Sequence, residues 1–348
     1  MNKKIKMILK SLGILVLVFV LIVAGYLLYV ITDYKRIEDN KELKITTYNI
    51  GFGAYSHDFS FFMDGGKYSR AIDKQHVLDD TNGAIEVINN ELPDFALFQE
   101  VDTDGDRSRH VDQVSMIKNA MNGYDSVFAC NYHSAYLFYP PTKPIGKATS
   151  GICTFSRCKI ESSLRRSFPI SMGFPDKFVD LDRCYSITRI PTDNGKYLVL
   201  FNVHMSAYTD DDSIRTRQVE MLFEDMKKEY DDGNYVICGG DYNHDMLGNS
   251  DEIYKNEKTG FNWTNEFPEE LKPDGFTFAL STLTDAQRSR LAPTCRNTDK
   301  EYSEDNEVWV LDTFIVSDNI TINNYTNIDA EFMYSDHNPV CMKFTLSE

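Results

Sequence analysis

Apolar positions in this chain form one long block followed by many short runs. The block is Leu12–Ile31, LGILVLVFVLIVAGYLLYVI, and it holds no charged residue. About 20 such residues make a helix about 30 Å long, the thickness of a bilayer's hydrocarbon core. After a polar stretch, LKITTYNIGF reads as a strand stopped by Gly51 and Gly53. Val77, Ala84, Ile85, Val87, Ile88 and Leu92 recur at helical spacing until Pro93. DFALFQEVD reads as a short buried strand ending in acids, and VDQVSMIKNAM as a helix ended by Gly123. YDSVFACNY, SGICTFSRC, DRCYSITRI and YLVLFNVHM read as strands, SIRTRQVEMLFEDMKKEY as a helix, and NYVICGGDYN, VWVLDTFIVS and HNPVCMKFTL as strands. Strands run together in the middle and at the end instead of alternating strictly with helices. That favours stacked sheets with outer helices over one doubly wound parallel sheet. Residues 246–308 are polar and rich in Pro and Gly, and are expected to be a long loop region with some short helix.

Flanking charge gives the long block a direction. Lys3, Lys4, Lys6 and Lys10 precede it, whereas TDYKRIEDNKELK after it is mixed in sign. The positive-inside rule then puts residues 1–11 in the cytoplasm, makes 12–31 a single membrane span, and leaves a linker at 32–43 and a domain at 44–348 outside the cell. The competing reading, a cleaved signal peptide, needs a shorter apolar core of about 7–15 residues and a small-residue cleavage site.

The 348 residues carry a net charge of −17, so composition supplies no broad basic surface for nucleic acid. A nuclease is still possible, because a bound cation can neutralise phosphate locally. Seven cysteines cannot all pair with one another. Cys153, Cys238 and Cys341 lie in apolar runs and read as buried, whereas Cys130, Cys184 and Cys295 have loop-like neighbours and could pair.

Five apolar runs end in residues that suit a metal or a phosphate: Asn49, Glu100, His204, the pair Asp241 and Asn243, and the pair Asp336 and His337. Asp312 lies within its strand. Taken singly, each has an ordinary explanation; CGGDYNHD alone could be a turn. Together they match the needs of water attack on a phosphate ester. Such attack needs a hard cation, a base for the water and donors for the charge that builds on phosphoryl oxygens. Mg²⁺ (or Mn²⁺) takes oxygen ligands and needs only one or two carboxylates, which Glu100 and Asp336 can supply. His204 and His337 can donate to phosphate or leaving group, and Asp312 can orient His337.

TYNIG, LFQEVD, SGICTFSRCKI, NVHMS with RTRQVEML, GGDYN, LDTFIVS and SDHNPV, in this order, resemble the endonuclease/exonuclease/phosphatase superfamily over nearly all of the soluble part. The resemblance implies a four-layer α/β/β/α sandwich of two packed β-sheets, preceded here by the transmembrane helix. It also implies a divalent-metal hydrolase of phosphate esters. Asn49, Glu100 and Asp336 would then hold the metal, Asp241 would orient or deprotonate water, Asn243 would meet the scissile phosphate or a second metal, and His204 and His337 would stabilise the transition state, with Asp312 paired to His337. Tyr242 and Met205 depart from the usual pattern. The phenylalanines of residues 51–75 are either core or a pocket rim, and Arg107, Arg109, Arg165 and Arg166 are either phosphate contacts or solvated. Anchor and acidic charge favour a lipid head group or a small phosphodiester as substrate. An extracellular nuclease is the alternative, and a catalytically inactive binding module is disfavoured because no motif residue is missing.

Overall fold

The computed structural model describes residues 3–32, 36–38, 40–170, 182–207, 212–256 and 264–347. It divides into two units, Met1–Arg36 and Ile37–Glu348. The first is a single helix, α1 (Lys3–Thr32). Its window of highest mean hydropathy, 2.8, buries none of its surface on protein, and Leu15, Phe19 and Ile22 stand 65–70% exposed. A helix apolar all round and without a protein partner has the composition for a bilayer or for a signal sequence, not for a core.

The second unit begins inside the expected linker. Ile37 is buried, and its backbone N–H donates to Pro191 O at 3.1 Å. Residues 33–35 and 39 of that linker lie outside the described residues.

Two six-stranded sheets make up the domain. The strands of the first are β1 (Leu43–Asn49), β2 (Phe95–Gly105), β3 (Asp125–Leu137) and β4 (Gly146–Ser156), with β11 and β12 from the chain's end. The second uses β5 (Ser162–Ser167), β6 (Cys184–Pro191), β7 (Tyr197–His204), β8 (Tyr235–Asp241), β9 (Phe276–Phe278) and β10 (Asp312–Ser317). With β11 (Ile320–Asn327) and β12 (Val340–Leu346), the spatial orders are β11-β12-β1-β2-β4-β3 and β9-β10-β8-β7-β6-β5. Side chains alternate between faces along a strand. Phe95 and Leu97 thus join Ile45 and Phe344 in the core shared with Leu200, Ile237 and Phe314, while Ala96 and Phe98 face the helices. Helices α2 (Lys74–Asn90) and α3 (Gln113–Ala120) cover the first sheet through Ile85, Ile88, Val114 and Ile117. Helix α4 (Asp212–Asp231) covers the second through Val219, Leu222 and Met226. The four-layer sandwich is the expected architecture.

Several local expectations need correction. β2 continues past its acids to Gly105. Edge strand β5 and strand β11, polar and half-exposed, were not anticipated. Residues 246–308 carry short strands and turns of helix, with 257–263 outside the described residues. Cys130, Cys184 and Cys295 are free thiols, so the pairing open to them is not made. Of the phenylalanines of residues 51–75, Phe52, Phe59 and Phe61 are core, packed with Tyr55, Val77 and Val111.

Candidate active site

The strands β1, β7 and β8 finish, and β2 bulges, at one pole, where β10 begins and the loop before β12 lies. Each sheet therefore delivers its chain ends to the same place. Gly239 and Gly240 make that approach possible. A Cβ on Gly239 would sit 2.5 Å from the Phe314 ring, and one on Gly240 2.1 Å from Val203 O, at φ +142°. CGGD is thus the end of a strand rather than a turn, and it carries Asp241 to the pole.

Glu100 arrives by a different device. Between Phe98 and Val101 β2 holds one more residue than β4, a β-bulge, and Glu100 takes φ +53° within it. A bulge re-aims a side chain, and positive φ in a non-glycine residue costs free energy that the surrounding ladder must offset. Glu100 is turned from the strand's alternation toward the pole, where its Oε1 lies 3.4 Å from Asn49 Nδ2.

Asp241 is the hub. Its Oδ2 accepts from Asn49 Nδ2 at 3.0 Å and Asn243 Nδ2 at 3.3 Å, with His204 Nε2 at 3.6 Å and His337 Nε2 at 3.8 Å. Burial raises its carboxyl to about 6, against the charge of His337, with Asp312 adding to the rise. Asp312 lies opposite Asp241 in the β8–β10 register, and its Oδ2 meets His337 Nδ1 at 2.7 Å. Burial alone would disfavour a charged His337; Cys295, Asp312 and Asp241 outweigh it and hold the pKa well above the ordinary value. His337 is thus biased toward its protonated form, with Nδ1 held by Asp312 and Nε2 3.8 Å from Asp241.

His204 is its opposite. Burial lowers its pKa well below the ordinary value, and Arg183, His337 and Arg107 add to that. Arg183 Nη1 donates to His204 Nε2 at 2.5 Å. The fixed cation on this side of the site is therefore Arg183, which the sequence reading did not single out. Its partnership follows from register, since Cys184 pairs with His204 across β6 and β7 and Arg183 immediately precedes it. Asn131, whose Nδ2 lies 3.5 Å from His204 Nδ1, and Thr294, whose hydroxyl accepts from Leu311 N and Asp312 N, were missed for the same reason.

Asn243, at φ +50°, donates through Nδ2 to Met205 O at 2.9 Å as well as to Asp241. Asp336 faces the same pole. Burial raises its carboxyl to about 7, lowered by His337 and raised by the charge of Glu100. Of the four candidate arginines, Arg107 ion-pairs with Asp102 at 2.8 Å and stacks on Phe52, Arg109 binds Ala71 O, Arg165 binds Cys130 O at 2.6 Å, and Arg166 pairs with Asp225. None is merely solvated.

Two groups of donors could hold a cation. Ligand atoms of Asp241, Asp312 and His337 lie within 4.8 Å of one another. Of these, Asp312 Oδ2 and His337 Nδ1 are already engaged with each other at 2.7 Å. Glu100 and Asp336, with Asn49 beside Glu100, are two carboxylates at the same pole, and burial chiefly, with the charge of Glu100 adding to it, raises the Asp336 carboxyl. An excess of hard oxygen donors of this kind fits Mg²⁺ or Mn²⁺.

The profile of the Endonuclease/Exonuclease/phosphatase family matches residues 46–337. No curated protein sequence matches the chain. Among solved structures, an endonuclease/exonuclease/phosphatase from Beutenbergia cavernae is similar at 14% identity and TM-score 0.58, over 88% of this chain and 72% of that one. D. rerio TDP2 complexed with single strand DNA product is similar at 15% identity and TM-score 0.57, over 88% and 99%. The human Nocturnin catalytic domain with bound sulfate anion is similar at 14% and 0.54, over 88% and 94%. These likenesses concern the fold.

Proposed function

The chain belongs to the endonuclease/exonuclease/phosphatase family, whose members hydrolyse phosphate esters, and from that membership we propose that it is a divalent-metal-dependent phosphodiesterase or phosphatase. The observation that carries this reading is geometric: at one strand pole His337 Nδ1 is held by Asp312 at 2.7 Å and its Nε2 lies 3.8 Å from Asp241. Glu100, Asp336 and Asn49 would hold Mg²⁺ or Mn²⁺. When bound, the ion polarises a phosphoryl oxygen. Asp241 positions the attacking water and takes its proton. His337 and Arg183 donate to the non-bridging oxygens as negative charge builds on them. His204, neutral, fixes the Arg183 guanidinium. Asn243 holds Asp241 in place and offers an amide edge to the phosphate.

Helix α1 would anchor the domain in the cell membrane as a single pass, with the domain outside. Candidate substrates are a small phosphodiester, a lipid head group or nucleic acid. The test is hydrolysis of bis(4-nitrophenyl) phosphate by the purified full chain. We expect turnover with Mg²⁺ or Mn²⁺, loss in EDTA and recovery on adding the ion back. Undiminished turnover in EDTA would refute the metal.

A further inference from the structure

The β3–β4 hairpin runs beyond the catalytic pole. β4 pairs with β2 as far as Gly105, five residues past Glu100, and the hairpin tip follows at 138–145. Phe138 is 76% exposed and Tyr139 56%. Tyr136 packs on Phe138 at 4.7 Å between ring centroids, and Tyr139 on Phe62 at 5.5 Å. Tyr139 rests on Phe62 but keeps more than half of its surface exposed, and Phe138 projects further, so the tip offers aromatic faces that a partner could cover. Beneath them lies a cavity of about 340 Å³, lined by Tyr68, Arg70, Ile72, Arg109, Lys143 and Pro144 among others. Arg70 is 3.9 Å from Asp106. Among the described residues neither Arg109 nor Lys143 has a carboxylate partner. Arg109 spends its Nε and Nη2 on Ala71 O and Ile72 O, which fixes the guanidinium without neutralising it. A cluster of cations in a chain of net charge −17 is a local exception to the molecule's field.

We propose that this tip and cavity bind single-stranded nucleic acid, the exposed rings stacking on bases and Arg70, Arg109 and Lys143 holding a phosphate, so that the strand is led to the catalytic pole. The proposal rests on the phosphoesterase reading for its purpose but not for its binding. Flat rings next to cations are what a flexible polyanion with unstacked bases requires, and a duplex hides the faces the rings need. A bilayer surface would use the same aromatic residues. The chain, however, enters the domain at the other pole, where Ile37 pairs with Thr192 beyond the end of β6, and the cations beside the rings suit the phosphates of a strand whose bases stack on them.

The experiment is fluorescence anisotropy with a fluorescein-labelled oligothymidylate about 12 nucleotides long, on the full chain in neutral nanodiscs, in EDTA so that nothing is cut. The variants are Phe138→Ser with Tyr139→Ser, and Lys143→Glu, all at exposed positions; Lys196→Glu, in the turn at the far pole, is the control. Melting temperatures verify the fold. We expect the aromatic pair to weaken Kd at least about fivefold. Lys143→Glu should weaken it and lower the log–log salt slope by about 0.7, one lost phosphate contact. The control should do neither. Equal Kd in all proteins, or no binding by the wild type, overturns the proposal. So does a tip variant that loses sedimentation with phosphatidylserine vesicles while keeping its oligonucleotide Kd, which would assign the tip to a membrane. Bis(4-nitrophenyl) phosphate turnover by the wild type is read separately, so failure at the tip and failure of the catalytic reading cannot be confused.

Discussion

Glu100 and the Asp312–His337 pair make the sharpest demands on single side chains. Glu100 sits at φ +53°, a conformation that persists only because the bulge holds it. Glu100→Gln keeps its shape and removes its charge. We expect kcat for a phosphodiester to fall at least about 100-fold, with the melting temperature unchanged or higher, since the crowding with Asp336 is relieved; a small loss of activity would take Glu100 out of the metal set. Asp312 acts through His337. With the acid gone the imidazolium loses its partner, so Asp312→Ala and His337→Ala should each cost about 10²–10⁴-fold in kcat. The double variant should cost little more than the worse single one. Losses that multiply would mean that the 2.7 Å contact is incidental to the chemistry.

At the scale of elements, β8 and α2 offer tests that need no substrate. Gly240 faces Val203 O so closely that any Cβ would overlap it, and its φ of +142° suits glycine alone. Gly240→Ala should cost about 3 kcal/mol or more in denaturant unfolding; a near-neutral change would show that β7 and β8 separate easily. In α2, Asp80 is buried with Oδ2 unpartnered. Burial raises its carboxyl to about 7, opposed by Ser56 and His76 and aided by Asp58 and Asp79. A raised carboxyl binds its proton more tightly folded than unfolded. Stability from this group is therefore full below about pH 4 and is lost as pH rises to 7. Asp80→Asn should stabilise the domain by about 1–3 kcal/mol at pH 8 and leave it unchanged at pH 4, read as the shift in unfolding midpoint. The same contrast of elements explains what the sequence could disclose. β1, β7 and β8 are buried on both faces and read as apolar runs with functional residues at their ends. β5, SSLRRS, is an exposed edge with no such signal. Asn49, Glu100, His204, Asp241, Asn243, Asp312, Asp336 and His337 all converge because strand ends were a property of the sequence itself. Arg183, Asn131 and Thr294 were hidden because their roles depend on which strands are neighbours.

For the whole molecule the testable quantity is whether α1 is the proposed anchor, and on which side of a membrane the domain would then lie. In α1 Leu15, Phe19 and Ile22 are exposed, and Lys3, Lys4, Lys6 and Lys10 all precede the apolar block. Positive charge is retained on the cytoplasmic side, so the domain should face outward. Its structure starts at Ile37, only a few residues after the helix ends at Thr32. Protease added to intact cells should remove the domain and leave a fragment of α1 in the membrane fraction, detected with a tag placed before Lys3. Full-length chain that survives in intact cells and is cut only on lysis would reverse the orientation. Release of the domain, without protease, as a soluble species lacking the tag would make Leu12–Ile31 a cleaved signal instead of an anchor.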